Sequence, residues 1–205
     1  MFFRKNSKSH WDKIYSGCNR ENLGWYEKEA KESLNLIVET GIKKNIIDIG
    51  CGKTTLIESL LEMGYDNITG IDLSEIAIGD LKESLAEYCD RVNLFQCDVL
   101  SLKLDEKVDI WHDRAVLHFL NSEKDENLYF DQLRRYLNEA GYFILATFSK
   151  DNKNRCSGLK IRTWDECEVL ERLGNNFKLL KAYDQNYTMP SGDGRKFRYM
   201  MFKKN

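Results

Sequence analysis

Proline is almost missing from this chain: one residue, Pro190, stands among 205. Any motif built on consecutive prolines is therefore excluded. No run of about 18 apolar residues exists, so nothing reads as a membrane span. The opening MFFRKNSKSHWDK is too polar after Phe3 to be a secretory signal, and a cytoplasmic protein is expected. The cysteines stand at 18, 51, 89, 97, 156 and 167, with no CxxC pair and no histidine-rich cluster. Neither a zinc site nor a disulfide framework is indicated, and most of them are expected to be small buried hydrophobes. Charge of one sign is not in excess either: 31 Lys and Arg face 33 Asp and Glu, a formal net charge of −2. That balance argues against a nucleic-acid partner. The basic tail Arg195, Lys196, Arg198, Lys203 and Lys204 alternates in KFRYMMFKK and reads as a strand with solvated outward positions. Repeats and low-complexity segments are absent. With 42% hydrophobic residues, the chain suffices for one three-layer core. One domain over 1–205 is expected, as a monomer or weak dimer.

What is present centres on Ile46 to Leu56, IIDIGCGKTTL. An apolar run containing Asp48 enters a turn with Gly50 and Gly52, then an amphipathic helix. This strand, tight turn and helix start bring backbone N–H groups close to a nucleotide-like ligand. A second apolar run, NITGID, ends at Asp72, 24 residues beyond Asp48, where a carboxylate can grip a ribose. Two other glycine loops fail. Gly52, Lys53 and Thr54 spell the tail of a phosphate-binding P-loop, but the glycine it needs five places earlier is Ile47. A dinucleotide fingerprint would need its third glycine at Thr55.

Periodicity orders the rest. Two aromatic groups, HWDKIYS with Trp11 and Tyr15, and LGWYE with Trp25 and Tyr26, precede a helix marked by Leu34, Ile37 and Val38. Strands are predicted at 46–50, 67–72, 92–97, 108–112 and 141–148, with helices at 54–63, 74–87 and 123–137. Ser74 reads as a helix N-cap and Gly64 as a C-terminal stop. Alternation of strands and helices implies right-handed crossovers and a parallel sheet covered on both faces. After a loop of residues 149–161 come a helix at 163–173 and strands near 177–185 and 196–203, joined by MPSGDG as an antiparallel hairpin.

The glycine loop, the acidic end of the second strand and the order of elements together resemble the class I S-adenosylmethionine-dependent methyltransferases over nearly the whole chain. The resemblance implies a Rossmann-like, doubly wound α/β fold with a seven-stranded, mostly parallel sheet and an antiparallel C-terminal strand, with residues 1–40 as a cap. It also implies S-adenosylmethionine as cofactor and no metal. Gly50, Cys51 and Gly52 would pass beneath the cofactor, with Asp48 supporting the loop or the cofactor's amino group. Asp72, followed by Leu73, would accept the ribose hydroxyls. Asp98 would meet the adenine amino group, and Val99 would pack on the ring. Trp11 and Tyr15 would cap the sulfonium by a cation–π contact, or only staple the first helix to the core. Thr54 stands where the family often has a further glycine. WHDRAV, ATFS and CSGL are similar to motifs of a group of bacterial methyltransferases. HWDKIY with the following Trp25–Tyr26 is similar, over about twenty residues, to the entry of lysine methyltransferases acting on elongation factor 1 alpha.

Strand four ends in VDIWHDRAVLHFL, where ligands bind in open α/β sheets. His112, Asp113 and Arg114 are three ionisable groups in a row, costly beside an apolar cofactor without a purpose. His112 reads as a general base and Asp113 as orienting an acceptor. Arg114 either binds an acidic substrate group or neutralises Asp113. The plainer reading is that Asp113 pairs with Arg114 or His118 and only shapes the loop. Cys156, in the loop of 149–161, either meets a soft substrate or anchors the loop. The expected reaction is methyl transfer to a small-molecule acceptor. The alternatives are a protein lysine, which at a pKa of about 10.4 must first lose a proton, and a non-catalytic cofactor-binding protein. The family's amide-methylating signature needs two prolines after strand four and is absent.

Overall fold

A computed structural model describes residues 2–151 and 155–205. The chain opens with α1 (Phe2–Ser16) and α2 (Lys31–Glu39), then runs through β1 (Lys44–Ile49), α3 (Leu56–Glu62), β2 (Asp66–Asp72), α4 (Glu75–Ser84) and β3 (Val92–Gln96). It continues with β4 (Val108–Arg114), α5 (Glu123–Tyr136), β5 (Leu137–Phe148), a two-residue pair β6 (Arg155–Cys156) and β7 (Leu159–Lys160), α6 (Glu166–Leu173), β8 (Phe177–Thr188) and β9 (Gly194–Lys204). Seven strands form one sheet in the order β3-β2-β1-β4-β5-β9-β8. β1 to β5 run parallel, and β9 lies antiparallel to both β5 and β8. This is the doubly wound, mostly parallel sheet expected from the sequence, with β9 as its reversed strand.

Apolar periodicity sets the layers. On α3, Leu56, Ile57, Leu60 and Leu61 are buried, and on α5 so are Tyr129, Phe130 and Leu133. Each group is one face of a 3.6-residue repeat. α2, α3 and α4 pack on one face of the sheet and α5 and α6 on the other, so each face has its own core. β1 contributes to both, Ile46 to the first and Ile47 and Ile49 to the second. That fits a strand buried on both sides. Caps fix the helix starts. The Ser74 hydroxyl accepts from Ala77 N–H, and Asp165 and Glu168 form a reciprocal capping box on α6. Gly64 follows α3 at φ +80°, the left-handed stop that its position suggested.

Four expectations change. Of the six cysteines, only Cys51 is buried, while Cys89 and Cys167 are exposed. α1 is a full helix over HWDKIY, where the aromatic grouping had not signalled one. On α2 the buried residues are Ser33, Leu36 and Ile37, while Val38 is exposed; the apolar stripe is turned by one position because Ser33 faces a buried histidine. The loop after β5 is not structureless. β6 and β7 form a short hairpin turned by Ser157 and Gly158 at positive φ, and residues 152–154 of that loop lie outside the described residues. Among the described residues no helix is long and apolar enough to cross a membrane.

Candidate active site

The glycine loop leaves the carboxyl end of β1. Gly50 and Gly52 stand at φ +65° and +55°, a region that side chains with a Cβ enter at a cost. A Cβ on Gly50 would collide with the Val116 side chain, and one on Gly52 with the Tyr15 hydroxyl. Cys51 between them is buried and donates its N–H to Ile71 O at 2.9 Å. The Thr54 hydroxyl accepts from Leu56 N–H at 2.9 Å, so the residue in the further-glycine position starts α3. Asp72, at the end of β2, ties this loop to the next helix. Its carboxylate accepts from Gly52 N–H at 2.9 Å and from Ser74 N–H at 2.7 Å. It is 7% exposed, and burial pushes its pKa up to about 6 against the pull of those two N–H donors. Leu73 is half-buried beside it. Asp98 follows β3 and accepts from Leu100 N–H at 2.9 Å, capping a short 3-10 turn that starts with buried Val99.

α1 closes over this loop. Trp11 packs edge-on against Trp25 and Phe119, with ring centroids 5.8 and 5.1 Å apart, and Tyr15 packs edge-on against Trp25 at 5.9 Å. Tyr15 is buried, with its hydroxyl over Gly52. Two polar ties hold the helix down. Ser74 donates its hydroxyl to Asp12 at 2.7 Å, and Lys53 donates to the Tyr15 carbonyl at 2.9 Å while pairing with Asp80 at 2.6 Å. The lysine of the GKT sequence thus neutralises the carboxyl end of a helix, a site where a cation is favourable.

Alternation along β4 corrects the reading of His112, Asp113 and Arg114 as one cluster. Successive strand residues face opposite sides of a sheet. His112 and Arg114 point toward α2 and the N-terminal segment, whereas Asp113 points toward α5. Asp113 is fully buried and accepts from Tyr129 O–H at 2.7 Å, Val116 N–H at 2.8 Å and Leu117 N–H at 3.0 Å. Burial pushes its pKa up to about 6. Ala115, at φ +70°, turns the chain so that those two N–H groups reach it; this left-handed alanine costs about 1–3 kcal/mol, held by the contacts around it. Asp113 therefore shapes the loop through its backbone and Tyr129, not by pairing with Arg114 or His118. His112 has no free nitrogen: Nδ1 is 2.7 Å from Asp48 Oδ1 and Nε2 2.9 Å from Ser33 Oγ. A carboxylate only accepts, so Nδ1 carries a proton, and Nε2 is engaged with the serine hydroxyl. Both ring nitrogens are thus committed, and the residue joins β1, β4 and α2.

Arg114 lies on the cavity side. Its Nε pairs with Glu27 at 3.2 Å and donates to the Tyr199 hydroxyl at 3.4 Å, and Nη1 donates to the Trp25 carbonyl at 3.3 Å. The guanidinium lies over Phe197, 4.4 Å from the ring centroid, and Tyr187, 5.4 Å away. Nη2 is buried with no partner. His118, just beyond β4, is fully buried with both ring nitrogens unmatched, and burial with Arg114's charge lowers its pKa to about 3. Each unmatched buried polar group costs about 1–3 kcal/mol. The β8–β9 hairpin is tied to the N-terminal segment, where the Tyr187 hydroxyl donates to Tyr26 O at 2.6 Å. Arg114 lines a cavity of about 70 Å³ together with Gly50, Cys51, Trp25, Glu27 and His112 among others. Cys156 is half-buried, within 3.8 Å of the Ser157 hydroxyl, and burial raises its thiol pKa.

A family model described as "Methyltransferase domain" matches residues 42–201. The chain belongs to this family. The methyltransferase is 25% identical over 136 residues to the bovine "eEF1A lysine and N-terminal methyltransferase", a match covering 66% of this chain and 19% of that protein. It is 25% identical over 198 residues to mouse "EEF1A lysine methyltransferase 2", covering 85% and 73% of the two chains. It thus spans only 19% of the first relative's length. Among solved structures, the 1,6-didemethyltoxoflavin-N1-methyltransferase of Burkholderia thailandensis superposes with a TM-score of 0.74 at 20% identity, covering 99% of this chain and 87% of that one. N-methyltransferase NodS of Bradyrhizobium japonicum gives 0.76 at 15%, covering 95% and 98%. The resemblance to class I methyltransferases is borne out in family and fold.

The sequence-predicted residues Asp48, Gly50, Cys51, Gly52, Asp72, Leu73, Trp11 and Tyr15 gather at one end of the sheet with His112 and Arg114. Asp98 and Val99 follow the neighbouring β3, and Asp113 is directed away. Glu27, Ser33, Lys53, Tyr187, Phe197 and Tyr199 were missed. Only Glu27, beside the WY pair, and Lys53, in the glycine loop, stood next to a signal.

Proposed function

We propose that this methyltransferase moves a methyl group from S-adenosylmethionine to a small-molecule acceptor. The residues present fit that cofactor: the positive-φ turn of Gly50 and Gly52 brings Gly50 and Cys51 to the lining of the cavity, and Asp72 is a buried carboxylate bonded to Gly52 N–H. Gly50 to Gly52 would pass under the methionine portion, Asp72 would accept from the ribose, and Asp98 and Val99 would meet the adenine. Trp11 and Tyr15 would close over it. When bound, the sulfonium supplies an already activated methyl, so the protein's task is to align an acceptor and exclude water. A 70 Å³ cavity is well below the roughly 300 Å³ of a small ligand pocket. Residues 1–40, with Tyr15 over Gly52, would therefore have to open as a cap for the cofactor to enter.

The observation that carries the small-molecule reading is enclosure. Arg114, Trp25, Tyr26 and Glu27 line one small cavity at this end, and the Tyr187 hydroxyl is tied to the Tyr26 carbonyl beside it, which favours a small acceptor over a folded protein. A protein lysine is the second reading, favoured by the names of the curated relatives. His112 has both ring nitrogens committed and Asp113 is directed away, so neither is positioned to deprotonate a lysine. We also propose a cytoplasmic location, since all six cysteines are free, the state that a reducing compartment maintains. Isotope-labelled S-adenosylmethionine added to a lysate tests the assignment. Label in the small-molecule fraction supports it, and label in one protein band overturns it in favour of the lysine reading.

A further inference from the structure

The acceptor end holds polar atoms that the fold leaves unmatched. The guanidinium of Arg114 is a rigid fork of five donors, and the protein fills only part of it. Glu27 and Tyr199 take Nε, and the Trp25 carbonyl takes Nη1. Nη2 is buried with nothing to donate to. His118 repeats the pattern with both ring nitrogens. The two groups are linked by one aromatic wall: the Arg114 guanidinium lies over Phe197, Phe197 packs edge-on against Phe148 at 4.9 Å, and Phe148 packs edge-on against His118 at 5.0 Å. Native interiors match nearly all their buried polar atoms, so the unmatched Nη2 of a residue that lines the cavity beside Gly50 and Cys51 calls for a ligand.

We propose that Arg114 Nη2 receives the carboxylate of a small organic acid, which is the methyl acceptor, at the cavity that Arg114 lines with Trp25 and Glu27. This inference rests on the small-molecule reading and names its substrate class. A carboxylate suits a planar, permanently charged fork better than a neutral carbonyl does. Glu27 takes the Nε edge and leaves Nη2 unmatched.

Benzoate and benzamide, which differ only in that charge, are titrated by calorimetry into the protein saturated with S-adenosylhomocysteine. Benzoate is expected to bind at least about tenfold more tightly, the discrimination typical of a hydrogen bond to a charged group. Arg114→Gln should abolish the preference while S-adenosylhomocysteine still binds. Because Arg114 is buried against Glu27, Arg114→Lys is the second variant; it keeps the charge, loses the fork and should retain only part of the preference. Equal affinity for the two probes, binding of neither, or a preference unchanged in both variants would overturn the inference. Loss of S-adenosylhomocysteine binding would overturn the cofactor assignment instead, and label entering a protein band would overturn the small-molecule reading.

Discussion

Gly52 and Asp72, which join the glycine loop to the second strand, are 20 residues apart in the chain, whereas Arg114 reaches Trp25 and Tyr199 across 89 and 85 residues. The cofactor half of the site is thus assembled from neighbouring β-α units, with positive-φ glycines and one buried carboxylate. The acceptor half is assembled by tertiary contact among the N-terminal segment, the end of β4 and the C-terminal hairpin. The family model begins at residue 42, so it leaves out α1, Trp25, Glu27 and Ser33. Arg114, Tyr187, Phe197 and Tyr199 lie within the matched residues 42–201, so only the N-terminal part of the wall falls outside them.

If the halves are separable, damage to each should be read by a different assay. The largest effect is expected for Gly50→Ala. The left-handed backbone and the collision with Val116 should cost about 2–4 kcal/mol in urea unfolding and abolish S-adenosylhomocysteine binding; unchanged stability would mean that the loop is not held as described. Asp113→Asn should cost about 2–3 kcal/mol, because it weakens three hydrogen bonds at a fully buried site. It should do so without a selective loss of turnover per folded molecule. A stable variant with lost turnover would return Asp113 to the chemistry.

pH separates the two buried carboxylates. Both have folded pKa values near 6, above the roughly 3.9 of an unfolded aspartate, so the native state binds more protons between those values. Their contribution is present in full below about pH 4 and is lost as pH rises to 6, by on the order of 2 kcal/mol each. Asp113→Asn should flatten that slope in unfolding titrations; an unchanged slope would rule out Asp113 as its source. Cofactor affinity should run the other way, falling by up to about tenfold per pH unit below 6 as Asp72 protonates and loses its capacity to accept from two hydroxyls. An affinity flat from pH 5 to 7 would exclude that role. The smallest effect is expected for Lys53→Met, which frees the end of α1 from its ties to Tyr15 O and Asp80. Stability should change by less than about 1 kcal/mol, while S-adenosylhomocysteine binds several-fold more weakly. Unaltered binding would show that the cap does not contribute.

The sequence made the order of elements, the mostly parallel sheet and the glycine loop legible because they rest on short-range signals: apolar runs ending in acids, paired glycines, and serine caps. The strand-four residues were legible as a set but not in their roles. His112, Asp113 and Arg114 are adjacent in sequence, yet the two-residue period of β4 sends the middle one to the opposite face. Ser33 reads as an ordinary polar position in a helix until α2 packs against His112. α1 was missed although Trp11, Ile14 and Tyr15 stand at helical spacing; its aromatic residues were read for their chemistry and not for their period. Phe197 read as an alternating strand residue, Tyr187 lay beyond the strand end expected near 185 although β8 runs to Thr188, and nothing local marks either as a neighbour of Arg114.

The most direct measurement is a calorimetric titration of S-adenosylhomocysteine into the wild-type chain and Asp72→Asn side by side, with circular dichroism on both. One equivalent should bind the wild type, and the variant should bind at least about tenfold more weakly with its fold retained. Equal affinity in the two proteins, or no binding to the wild type, would contradict the account.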